Sequence, residues 1–85
     1  MTFSVYIIEL QDGSYYVGHT NNLERRLGEH QQGIACVHTR KIAFKRLLWH
    51  EEHPDRLHAS KREREIKGWR REKKESLWKV DSSSP

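Results

Sequence analysis

Two runs rich in tyrosine and β-branched residues, Phe3 to Leu10 and Tyr15-Tyr16-Val17, flank Asp12-Gly13 and mark the start of this chain as a β-hairpin. The first run alternates imperfectly, as expected of a strand buried on much of both faces. Neighbouring strand residues point to opposite sides, so Tyr15 and Tyr16 belong to different faces. Gly18 lets the backbone leave the second strand closely packed, and Asn21 or Asn22 can cap a helix from Leu23 to His30 or Gln31. Leu23 and Leu27 lie one turn apart on its inner face, with Arg26 at the edge of that stripe. Gly33 is a suitable stop.

Ile34 to Lys41 reads as a loop. Phe44, Leu47, Leu48 and Trp49 predict a third strand, ended by His53-Pro54-Asp55. Asp55 is placed to cap a second helix over Leu57 to Trp69, with Leu57, Ile66 and Trp69 as its large apolar anchors and Ala59 at a tighter position. A short helix from Arg71 to Trp78 would return Leu77 and Trp78 to the core. These elements form a single domain over residues 1–80, with 81–85 a frayed polar tail. A chain of 85 residues leaves little room for a second domain.

Charge is unevenly spread. Residues 1–55 carry six Lys/Arg against seven Asp/Glu, whereas residues 56–79 carry ten against four, within a formal net charge of +4. A polyanion would therefore meet the C-terminal third. The bland alternative is a charged helix facing solvent. Cys36 is the sole cysteine, which excludes an intrachain disulfide and a cysteine-based zinc cluster. No basic segment leads into an apolar run after Met1, and no apolar stretch reaches membrane-spanning length, so the expected location is cytoplasmic.

The residue types needed to cut a phosphodiester are all present. Glu63 is a hard oxygen donor suited to magnesium, although Glu65, about 200° around the helix, is nearly as eligible, and either could form only a surface ion pair. Arg26 can donate to phosphate oxygens or simply pair with Glu29. Tyr6 and Tyr16 could position or deprotonate water, or could be core residues. His19 could share a proton transfer or sit at a strand end. Asn22 is as readily a cap as a substrate contact, and His30 as readily a packing residue. His50, His53 and His58 have no spacing typical of zinc.

Taken in order, Ser4-Val5-Tyr6, Tyr16-Val17-Gly18, the Asn22-Leu23-Glu24-Arg25-Arg26 helix start, His30, Thr39-Arg40, Glu51-Glu52 and Ala59 through Trp69 resemble the GIY-YIG nuclease family. The likeness is to its small stand-alone bacterial branch, related to subunits of structure-specific endonucleases. It implies an α/β (α+β) fold, a small three-stranded antiparallel sheet flanked by helices. It also implies a DNA endonuclease dependent on Mg2+, with Mn2+ an alternative, in repair or recombination. The catalytic positions it implies are Tyr6, Tyr16, His19, Arg26 and Glu63, with Glu63 the metal ligand. Ser4 departs from the family's usual glycine, which matters only if that position requires a positive φ.

Asn22, His30, Arg40, Lys61, Arg62, Lys67 and Arg70 are candidate nucleic-acid contacts. They would give salt-sensitive affinity without reading sequence, so structure-selective or weakly selective cutting is expected, with a protein partner as a further source of direction. The rival readings are a noncatalytic nucleic-acid-binding adaptor on the same fold and a protein-interaction module.

Overall fold

The computed structural model describes residues 2–33 and 41–79. Thr39, Arg40, Cys36, the loop expected over 34–41 (apart from Lys41) and the tail over 81–85 lie outside the described residues. The order of described elements is β1 (Phe3–Leu10), β2 (Tyr15–Thr20), α1 (Leu23–Gln31), β3 (Phe44–His53), α2 (Arg56–Lys67) and α3 (Arg71–Glu75). The three strands form one antiparallel sheet in the order β2-β1-β3, flanked by helices, as the sequence predicts.

β1 is the centre. Val5, Ile7, Ile8 and Leu10 are fully buried, and Tyr6 nearly so. Its odd and even residues feed two separate cores, which is why its hydrophobic run alternates so poorly. Val5 and Ile7 join Val17, Ala59 and Ile66 on the face covered by α2. Tyr6, Ile8 and Leu10 join Leu23, Leu27, Phe44 and Leu47 on the face that receives α1. Tyr15 and Tyr16 part company as expected, Tyr15 to the α2 face and Tyr16 to the α1 face.

The hairpin connection is longer than two residues. Gly13 adopts φ 86°, and the Asp12 carboxylate accepts from the backbone N–H of Ser14 at 2.9 Å and from its hydroxyl at 2.6 Å. Asn22 caps α1 by accepting from the N–H of Arg25 at 3.0 Å, and Asp55 caps α2 by accepting from His58 at 2.8 Å. Gly33, at φ 75°, follows the end of α1. Ser4 needs no special backbone, because the described residues include no positive-φ position other than glycine. It is an ordinary strand residue opposite Thr20.

One strand is irregular and two expectations change. β3 is irregular: its register shifts between Ile7 and Ile8, so Leu48 and Trp49 both pack on the α2 face. Leu57 is not an anchor: it is 62% exposed, because it lies about 180° around α2 from Ile66, which faces the sheet. Ala59, Ile66 and Trp69 do the anchoring. The last helix is also shorter than predicted, ending at Glu75, although Leu77 and Trp78 still return to the core. The Tyr15 hydroxyl donates to Glu75 at 2.6 Å, Arg71 lies 3.9 Å above the Tyr15 ring, and Trp78 meets that ring edge-on.

Truncation separates the two residues. Ile66→Ala should lower unfolding free energy by about 2–5 kcal/mol, whereas Leu57→Ala should change it by less than about 0.5 kcal/mol, as read by urea denaturation.

Candidate active site at the β2 edge

The end of β2 carries side chains to both faces of the sheet. On the α1 face, Tyr6 and Tyr16 lie with ring centroids 6.4 Å apart. Each meets the His30 ring at a steep angle, at 5.6 and 5.2 Å respectively. This packing depends on Gly18, which sits opposite Tyr6 in the register. A Cβ there would lie 2.6 Å from the Tyr6 hydroxyl oxygen, 2.7 Å from its Cζ and 3.1 Å from Tyr16 Cε1. Tyr6 cannot easily yield, because it is 2% exposed and hydrogen-bonded to His30 Nε2 at 2.8 Å.

His30 is itself buried, so it contacts the tyrosines from below instead of lying on the helix surface. Burial, reinforced by the charge of Arg26, lowers its pKa to about 4 and keeps the ring neutral near pH 7. Its Nδ1 finds no hydrogen-bond partner among the described residues. An unmatched lone pair costs less than an unmatched buried N–H, which favours the tautomer in which Nε2–H donates to the Tyr6 oxygen.

Arg26 stands one turn before His30, with its side chain about one-third exposed. Its nearest acid is Glu29 at 3.5 Å, a loose surface pair worth little. The ion pair anticipated as the structural alternative is therefore present, but it does not bury the guanidinium.

The α2 face carries the second cluster. His19, paired with Val5 in the register, places Nδ1 2.5 Å from Glu63 Oε1. Lys67 places its ammonium 2.7 Å from Glu63 Oε2. Ala59 and Ile66 face the sheet on the same helix, and they bring Glu63 down beside β2 with 17% of its side chain exposed. Burial raises the Glu63 pKa, but the hydrogen bonds from Lys67 and His19 outweigh it, and the net shift is downward. Glu65 points elsewhere: it is half-exposed and paired with Arg62. The structure thus separates two carboxylates that helical spacing alone left open.

The remaining candidates are dispersed. Asn22 serves as the α1 cap. Arg62 is held by Glu51 at 3.1 Å and by Glu65, and lies 5.2 Å over the Trp69 ring. Lys61 and Arg70 are exposed. Trp49, Trp69 and Trp78 pack against the α2-face core. His53 pairs with Glu51 and His58 with Asp55, and the described residues contain no group of three or more His, Cys, Asp or Glu able to hold a metal. A cavity of about 440 Å³ lined by Glu51, His53, His58, Lys61, Arg62 and Glu65 includes neither tyrosine, Arg26 nor Glu63. Its acids and bases largely neutralise one another. The ion pair anticipated for Glu63 is present and its partner is Lys67, one helical turn on.

A family model described as the GIY-YIG catalytic domain matches residues 2–76. A UPF0213 protein of Haloquadratum walsbyi is 42% identical over 73 residues, covering 86% of this chain and 82% of that protein. A UPF0213 protein of Halobacterium salinarum is 38% identical over 74 residues, covering 87% and 96%. The solution NMR structure of a UPF0213 protein from Bacillus halodurans is similar with a TM-score of 0.57 and 38% identity, covering 91% of this chain and 82% of that one. These relatives carry the UPF0213 name, which specifies neither a nuclease nor a structure-specific endonuclease subunit.

The depressed His30 pKa has a sign that can be tested. The unfolded histidine takes up a proton near pH 6.5 and the folded one only near pH 4, so stability present above pH 6.5 is lost as pH falls toward 4. Between pH 7.5 and pH 5 this loss should be about 2 kcal/mol. It precedes most carboxylate titration, and denaturation curves of His30→Gln should lack this component. An equal loss in the variant would contradict the assignment.

Proposed function

The chain belongs to the GIY-YIG catalytic-domain family, and on that premise we propose that it is a divalent-metal-dependent endonuclease that hydrolyses DNA phosphodiester bonds. The observation that carries this reading is Glu63, a sheltered carboxylate held ionised beside His19 on the edge strand that also bears Tyr16, with Tyr6 on the neighbouring strand and Arg26 on α1. A single carboxylate is a poor complete cage, but it suits Mg2+ or Mn2+, whose remaining positions water and substrate phosphate fill. When bound, such an ion would offset phosphate charge and stabilise the leaving oxygen.

The chain's own residues divide the remaining work. Arg26, partly exposed and loosely paired, donates to non-bridging phosphate oxygens. Tyr16, only half-buried, orients the attacking water and takes or relays its proton, while Tyr6 is fixed beneath it by His30. A phenol with a pKa near ~10 is a weak base, so this role requires a cation, the metal ion or Arg26, brought against it in the substrate complex. His19, engaged on Glu63 through Nδ1, has Nε2 as the nitrogen for any share in proton transfer. Exposed Lys61, Arg64 and Arg70 supply backbone contacts that favour DNA without reading its sequence. Structure-selective or weakly selective cutting follows, with a role in repair or recombination and room for a partner protein to direct it.

A panel of labelled single-stranded, duplex, flap and branched DNAs tests the reading. Cleavage should require Mg2+ or Mn2+ and stop with chelator. Glu63→Gln and Arg26→Ala, each of verified fold, should slow it by about 10²-fold or more. Salt-sensitive binding with no cleavage under any condition would instead identify a noncatalytic adaptor.

A further inference from the structure

Both oxygens of Glu63 are already occupied. His19 holds Oε1 from a β-strand, where its backbone is fixed, and Lys67 holds Oε2 from the last residue of α2. Lys67 is half-exposed (52%), and its ammonium rides on a flexible four-carbon stem. A carboxylate in this condition offers a divalent cation little, because a positive charge already stands against Oε2 and an imidazole against Oε1. The contact is also cheap to break, since a lysine one helical turn from its acid and open to solvent is weakly held.

We propose that Lys67 is an exchangeable counter-cation: without DNA it closes Oε2 of Glu63, and on substrate binding it transfers to a backbone phosphate, so the carboxylate becomes available to a divalent cation only when DNA is in place. This inference rests on the assignment of Glu63 as the metal ligand and extends it to the order of assembly. Lys67 exchanges one anionic oxygen for another, so its charge remains compensated throughout. The surrounding surface makes the exchange favourable: Arg64 on α2, Arg70 between the helices and Lys73 on α3 are also exposed and draw phosphate toward the same helix end. A plain helix-stabilising ion pair would involve neither metal affinity nor DNA.

Two measurements on the intact chain test this. Mn2+ binding without DNA is followed by the EPR signal of the free ion for the unaltered protein, Lys67→Ala, Lys67→Gln, Lys67→Arg and Glu63→Gln. DNA binding without divalent ions is followed by fluorescence anisotropy across a salt series. Lys67→Ala and Lys67→Gln should bind Mn2+ about fivefold or more tightly than the unaltered protein, because the competing charge is gone. The same variants should bind DNA more weakly, with a log–log salt slope shallower by about 0.9. Lys67→Arg should keep both original behaviours.

Unchanged Mn2+ affinity in the two neutral variants, or an unchanged salt slope, would overturn the exchange even if Glu63→Gln loses Mn2+ binding and the metal assignment stands. Mn2+ binding indifferent to Glu63→Gln would remove the metal assignment itself, and the exchange with it.

Discussion

The missing side chain of Gly18 is the constraint on which the site depends. Tyr6 lies across β2 so closely that a Cβ at residue 18 would stand 2.6 Å from its hydroxyl oxygen. The phenol cannot retreat, because β1 is the central strand and His30 closes the space below it. Close approach of the two strands therefore fixes Tyr6, Tyr6 and His30 fix the floor under Tyr16, and α1 must present Arg26 from the same helix as His30. The glycine is required here by space and not by φ, since among the described residues only Gly13 and Gly33 adopt positive values.

An edge strand makes the rest possible. Among the described residues β2 has one neighbour in the sheet, so its final residues face α1 on one side and α2 on the other, near that edge. The α1 side provides aromatic hydroxyls and a guanidinium, and the α2 side a carboxylate and an imidazole. A phosphodiester laid along that edge could be addressed from both sides, which neither face alone would allow. The basic C-terminal helices are fixed over the same strand by the Tyr15–Glu75 hydrogen bond and the Arg71 and Trp78 contacts to the Tyr15 ring.

Local chemistry made much of this legible. Asp12-Gly13, Asn22 and Asp55 act through their nearest neighbours, so the turn and the α2 cap could be read directly and the α1 cap narrowed to Asn21 or Asn22. The opposite facing of Tyr15 and Tyr16 follows from strand geometry alone. Most of what failed depended on contacts distant in sequence. Leu57 is the exception, since it lies about 180° around the helix from Ile66 and so faces solvent when Ala59 and Ile66 face the sheet. The bulge that sends Leu48 and Trp49 to one face arises from pairing with β1, which composition does not reveal. Glu63 and Glu65 are equivalent in a helical wheel read without its partner; proximity to His19 separates them. His30 carried a signal of position, one turn after Arg26, but not of burial.

The central claim is that the two faces of β2 serve one centre. It is tested most directly by paramagnetic broadening in two-dimensional NMR spectra, with Mn2+ added to the protein bound to a phosphorothioate DNA that resists cleavage. The account predicts simultaneous broadening of resonances from Tyr16, Gly18, His19, Arg26 and Glu63, with Leu57 and the Asp12-Gly13 turn unaffected. Broadening confined to His19 and Glu63, leaving Tyr16 and Arg26 sharp, would contradict it by separating the carboxylate from the tyrosine face.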